Sequence, residues 1–238
     1  MNAAIIRLAM RSLFGRPRAF VLLAMPAIMV GLAAVITMAS SNPPDSSDAE
    51  AFLRVFGIGI VVPVVTLIAT TTLVNSEFDD GSIVYLLTKP ISRLSIMASK
   101  AVVVLLSVLV CGVLPVGIAG FAMVGGDDRV ALAGVAGSAV AGVAYVGIFT
   151  ALVTVLNRSI VGCLIYWLVW ESTISSLIGP VKWLSARAWG SSVVQATTEL
   201  GDRPAVPVAY AVVAAVVILL GGVALAAQRL VSVSLSDD

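Results

Sequence analysis

The sequence predicts an all-α, polytopic membrane protein with six transmembrane helices. Three observations carry that prediction. First, 60% of the 238 residues are hydrophobic and only 11% are charged, far from the balance of a soluble domain. Second, several apolar runs reach the ~20 residues that a helix needs to cross a bilayer. Third, Lys and Arg collect in alternate connecting segments, as cytoplasmic loops of membrane proteins do.

Residues 1–18 come before any span. Ile5, Ile6, Ala9, Met10 and Leu13 share one helical face, with Arg7 and Arg11 on the other. That pattern predicts an interfacial helix, its arginines among anionic headgroups. A signal-peptide n-region is the alternative, but the apolar run that follows is too long for an ordinary h-region. The first span is expected at 20–39, followed by a polar, acidic loop from Ser40 to Glu50. The second is expected at 56–74 and the third at 101–124, where Pro115 between Gly112 and Gly117 predicts a kink. A tight turn at 125–129 leads to the fourth span, 131–156. There Gly134, Ser138 and Gly142 recur every fourth residue and predict close helix packing. The fifth span, 160–179, contains Glu171. Residues 181–206 form the longest external segment, expected as short helices lying on or dipping into the outer leaflet. The sixth span is expected at 207–227. The whole chain reads as a single transmembrane domain, with no internal repeat that would mark inverted halves.

Orientation follows the cations. With the N-terminus inside, Arg7, Arg11, Arg16, Arg18, Lys89, Arg93, Lys100, Arg158 and Arg229 are cytoplasmic. Arg54, Arg129, Lys182, Arg187 and Arg203 lie outside. This bias predicts a multi-pass protein of the plasma (cell inner) membrane with both termini in the cytoplasm.

The segment 77–100 falls on the cytoplasmic side and has the grammar of a short helix followed by a second helix start. Asp79 and Asp80 put negative charge where the free N–H groups of a new helix lie, and Gly81-Ser82 allow a turn and a cap. Ile83, Leu86 and Leu87 fall on one face. Lys89-Pro90 ends the helix, and Ser92 can cap the next, which runs through Arg93 and Lys100. A short helix with one apolar face, held between two spans, either lies on lipid or docks into a partner's groove. An ordinary connecting loop is the plainer reading.

These residues also resemble the coupling segment of ABC-2 type transporter permeases, the bacterial six-span membrane subunits of ABC transporters. The match runs through Asp80-Gly81-Ser82, Leu86-Leu87, Lys89-Pro90, Ser92-Arg93 and Lys100. A weaker second patch, Trp170-Glu171 followed by Leu184-Ser185, is similar to the fifth span of small bacterial permeases and its exit. The resemblance implies a homodimer of this chain, with two ATPase subunits docked on the coupling helices. The partner-facing residues would then be Asp79, Asp80, Gly81, Ser82, Ile83, Leu86, Leu87, Lys89, Pro90 and Arg93.

The chemistry within the chain is sparse. It has no histidine, which removes the commonest general base and zinc ligand. Cys111 and Cys163 lie inside apolar spans and read as small packing residues. No Gly-Lys-Ser or Gly-Lys-Thr occurs, so the chain has no phosphate-binding loop of that kind. It is therefore expected to be no enzyme and to need no cofactor of its own, with ATP and magnesium bound by the partner ATPase. Dense basic patches with interleaved aromatics are missing too, so nucleic acid is not an expected partner, whereas membrane lipids are.

Glu171 is the intramembrane acid. It reads either as a substrate-facing or gating group, or as a hydrogen-bonded anchor between the fifth span and the segment after it. No second acid at depth is evident to build a relay, which favours the anchor. Two functions remain from different classes. One is the permease subunit of an ABC transporter, exporting a small-molecule, lipid-like or peptide substrate. The other is a non-transporting six-span anchor or assembly factor that docks a cytoplasmic partner. A neighbouring gene for an ATPase with Walker motifs would favour the first.

Overall fold

A computed structural model describes residues 18–40, 44–75, 93–125, 129–156, 158–200 and 203–233. The expected interfacial helix and the coupling residues Asp79 to Pro90 lie outside the described residues.

The described residues are helical, with no strand among them. Helix α1 is Arg18–Ala39. Helix α2 is continuous over 46–75 and is built from Ser46–Phe52, Leu53–Val61, Val62–Thr70 and Thr71–Asn75. Helix α3 covers 93–124 and α4 is Val130–Val155. Helix α5 is Ser159–Leu177, followed by a 3₁₀ turn at Gly179–Leu184. Helix α6 is Ala186–Thr198 and α7 is Val208–Val233. All but α6 are long and apolar enough to cross a membrane, giving the six spans.

Two spans start earlier than the hydropathy of the sequence indicates. The loop expected from Ser40 to Glu50 ends at Asp45, whose side chain accepts the Asp48 N–H and caps a helix starting at Ser46. The α3 helix likewise begins at Arg93, about two turns before its apolar run and where the Ser92 cap led one to expect it. In both cases a polar first turn extends a helix that hydropathy alone would truncate.

Prolines shape α2 and α3. A proline has no N–H to give, and its ring crowds the carbonyl four residues back. Just before Pro63 and Pro115 the helix widens into π turns, Leu53–Val61 and Leu109–Val113. There the Val62 N–H reaches Gly57 O and the Leu114 N–H reaches Leu109 O, each five residues back. The irregularity expected at Pro115 is thus a π turn on its N-terminal side.

Helices α2 and α4 form the centre. Of the most apolar window in α2, 61% is buried, and 56% in α4, against 17% in α5 and 22% in α1 and α7. The outer helices turn side chains such as Phe20, Ile28, Leu168 and Leu220 outward, as lipid-facing helices do. Helix α4 packs on α2, α3, α6 and α7. Its Gly134 and Gly142 receive the side chains of Leu53 and Val108. The closest backbone approaches lie elsewhere on α4. A Cβ on Gly137 would stand 2.5 Å from Gly190 O, and one on Gly147 2.5 Å from Ile218 O. Without strong hydrophobic drive between helices in lipid, such backbone proximity is how spans gain dispersion contact.

Candidate functional site

Glu171 stands twelve residues beyond Ser159 and six before Leu177 in α5, and its side chain is fully buried. Tyr166–Ile174 is a π-helix, so residues five apart stack along one side. The Tyr166 hydroxyl accordingly donates to Glu171 Oε1 at 2.7 Å. Hydroxyls reinforce the wide turn: Ser172 Oγ donates to Trp167 O and Thr173 Oγ1 to Leu168 O, again five residues back.

The other donors to Glu171 come from the segment after α5. The chain leaves α5 at Leu177, turns through Gly179–Leu184, and comes back to the level of Glu171 at Ser185. Ser185 Oγ donates to Glu171 Oε2 at 2.6 Å. The Ala186 N–H donates to Oε1 at 2.9 Å and the Arg187 N–H to Oε2 at 3.2 Å. Four donors therefore meet the four lone-pair directions of one carboxylate.

This arrangement solves a problem of helix ends. The first N–H groups of a helix have no internal partner, and at membrane depth water is scarce. Ser185 is the N-cap of α6 and accepts the Ala188 N–H at 3.1 Å. Glu171 takes the two N–H groups that this cap leaves, and its negative charge faces the positive end of the helix dipole. The carboxylate is a cap supplied by another span.

Helix α6 is consequently a re-entrant helix. Its start lies deep in α2's length, with the Arg187 guanidinium 3.1–3.2 Å from where a Cβ on Gly59 would stand. Trp167 Nε1 bonds Gly59 O at 2.9 Å, drawing α5 to the same level. Its end is shallow, where Thr198 Oγ1 donates to Glu50 Oε2 at 2.6 Å. Trp189, Val193 and Val194 are buried, so α6 is core rather than surface. Within the segment expected as helices on or dipping into the leaflet, α6 packs extensively against α4.

Glu50 is a second buried acid among the described residues, missed from the sequence because it sits in a polar run. It pairs with Arg54 at 3.2 Å, one turn on. With its amide oriented to match its donors, Gln195 Oε1 accepts from Arg54 at 3.1 Å. Asp45, the N-cap of α2, has its carboxyl held below the ordinary value of 3.8 by the Asp48 N–H and the Ser47 hydroxyl.

Of the proposed docking residues, only Arg93 is described, and it opens α3. The helix ends that bracket residues 76–92 meet at one end of the bundle. There Lys100, 3% exposed, donates to Leu73 O at 2.9 Å, so a buried ammonium joins α3 to the end of α2. Cys111 and Cys163 are free and buried, and no metal-binding cluster occurs among the described residues.

A search of curated proteins finds no match to this chain. A family model, described as ABC-2 family transporter protein, matches residues 16–194. That match takes in five of the six spans, all of residues 77–93, Glu171 and most of the re-entrant helix. On this match and the six-span all-helical architecture, the chain belongs to the ABC-2 family of transporter proteins and is a membrane-spanning permease.

Proposed function

We propose that the chain is the permease subunit of an ABC exporter whose ATP is hydrolysed by a separate subunit. Two copies form the pathway across the plasma membrane, and each docks one ATPase through residues 79–93. Both termini face the cytoplasm, and ATP with its magnesium is held by the partner. The observation that carries the reading is the family match over 16–194 in a chain without a phosphate-binding loop. The Lys100–Leu73 bond supports it from the structure. A load placed on residues 76–92 by a moving ATPase would pass into α2 and α3 together, since those helices are joined where the segment leaves and returns. Both helices pack on the central α4.

Spans of Val, Leu, Ala and Gly suit an amphipathic or lipid-like cargo. The testing experiment is affinity purification of the tagged chain in mild detergent from its native cell, followed by an ATPase assay in lipid. A soluble ATPase with Walker motifs in near-equal amount, active only in the complex, supports the proposal. Purification of the chain with a different cytoplasmic partner and no ATPase would favour the anchor or assembly role instead.

A further inference from the structure

Away from the joined ends of α2 and α3, a cavity of about 390 Å³ opens between α2, α5, α6 and the segment before α7. Its wall contains four cations, Arg54, Lys182, Arg187 and Arg203, and one acid, Glu171. The acid is already satisfied by its four donors. Arg54 is partly offset by Glu50 at 3.2 Å, yet its Nε is buried without an acceptor. Lys182, Arg187 and Arg203 have neither an ion pair nor a side-chain hydrogen bond among the described residues. Counting both acids against the four cations still leaves a surplus of two positive charges.

Such a surplus is costly at the edge of a low-dielectric body, and a concave wall concentrates its field. Arginines lie at two depths. Arg187 is wedged beside Gly59 at the start of α6, and Arg203 is exposed near the mouth. Planar guanidinium groups match the oxygens of a phosphate better than any other side chain does. The volume is in the range of small-ligand sites and suits a headgroup rather than a whole lipid.

We propose that this cavity binds a phosphate-bearing anion, either the headgroup of an anionic lipid or a soluble phosphate. The proposal does not depend on the coupling reading above.

The test uses the purified full-length chain and two probes. The first is inorganic phosphate, titrated calorimetrically in uncharged detergent. The second is phosphatidylglycerol in phosphatidylcholine nanodiscs, with retained lipid counted by native mass spectrometry. Arg187→Gln removes the cation beside Gly59, and a second variant, called the mouth variant, combines Lys182→Gln with Arg203→Gln, the latter exposed near the mouth. Arg158→Gln, exposed at the other end of the bundle, is the control. Removing each charge-assisted hydrogen bond is expected to weaken binding on the order of tenfold, with the control unchanged. Weakened phosphate binding alone identifies a soluble ligand, and weakened phosphatidylglycerol retention alone identifies a lipid. Either supports the site. If Arg187→Gln fails to fold, the mouth variant decides by itself. Wild-type-level binding of both probes by the mouth variant, or no binding of either by wild type, would overturn the proposal.

Discussion

Tyr166 and Glu171 are hydrogen-bonded at 2.7 Å across a single π turn, five residues apart on α5. In an α-helix the same two side chains would diverge by well over a right angle around the axis. The wide turn places a phenol beside the carboxylate and leaves the other side of that carboxylate free for α6. The helix irregularity and the cap on the re-entrant helix are thus one feature.

That relationship makes substitutions at Glu171 graded. Glu171→Gln keeps an acceptor for one backbone N–H but turns an amide toward the other donors. It is expected to cost about 1–3 kcal/mol, the value of a buried donor left unpaired. Glu171→Leu strands the N–H groups of both Ala186 and Arg187 and is expected to cost more. Thermal unfolding of the purified proteins in detergent ranks them. A Leu variant as stable as the Gln variant would contradict the capping role.

Backbone contact between α4 and α6 gives a sharper structural test. A Cβ on Gly190 would lie 2.6 Å from Gly137 O and 2.8 Å from Ala141 Cβ, neither of which is a flexible side-chain tip. Gly190→Ala is expected to destabilise by about 1–3 kcal/mol or more through overpacking. Gly31→Ala has nothing within 4 Å of the new Cβ and is expected to leave stability unchanged or slightly raised. Equal yields of monodisperse protein from both variants would sink the close-packing account.

Acid dependence isolates the cap of α2. The Asp45 carboxyl titrates below 3.8 in the folded chain, chiefly through the Asp48 N–H. A depressed folded value contributes stability that is fully present above the unfolded value. That contribution is lost as pH falls through the folded one. Asn caps helices as well as Asp but has no proton to gain. Melting temperatures measured from pH 5 downward are therefore expected to fall more steeply in wild type than in Asp45→Asn, the two diverging below 3.8. Superimposable curves would mean the cap contributes nothing that titrates.

The span count was legible because apolar runs of bilayer length need no tertiary information. Much of the rest depended on partners far away in the chain. Helix α6 carries Arg187, Gln195 and several Ser and Thr residues. That composition reads as surface, although the helix is buried by contacts with α2 and α4. Glu50 gave no sign of burial because its bond to Thr198 spans 148 residues. That Glu171 needed hydrogen-bond partners was legible from its isolation at depth. Its donors were not, since Ser185 meets it only after the chain folds back. The small-residue spacing on α4 pointed to close packing, which Gly134 and Gly142 show, but not to the backbone approaches at other glycines of the same helix. Gly134 and Gly142 receive side chains, whereas Gly137 and Gly147 touch backbone.

Orientation is open to direct chemistry. Ser40 is exposed at the end of α1, and Ser82 belongs to the proposed coupling segment. Single cysteines at these two positions, in a Cys111→Ala and Cys163→Ala background, are expected to label oppositely in intact cells. An impermeant maleimide reaching Ser82→Cys but not Ser40→Cys would invert the topology.

The central claim, that residues 79–93 hold the ATPase, is tested most directly by pull-down. The face formed by Ile83, Leu86 and Leu87 is proposed to fill a groove on the ATPase, where one anchor is typically worth ~1–4 kcal/mol. Leu86→Asp combined with Leu87→Asp is predicted to release the ATPase from the tagged permease while the six spans remain in the membrane. Asp80→Asn is predicted to leave most of it bound, because an exposed helix-end charge is worth only ~0.3–1 kcal/mol. Undiminished ATPase recovery with the double-Asp variant, correctly inserted, would contradict the account.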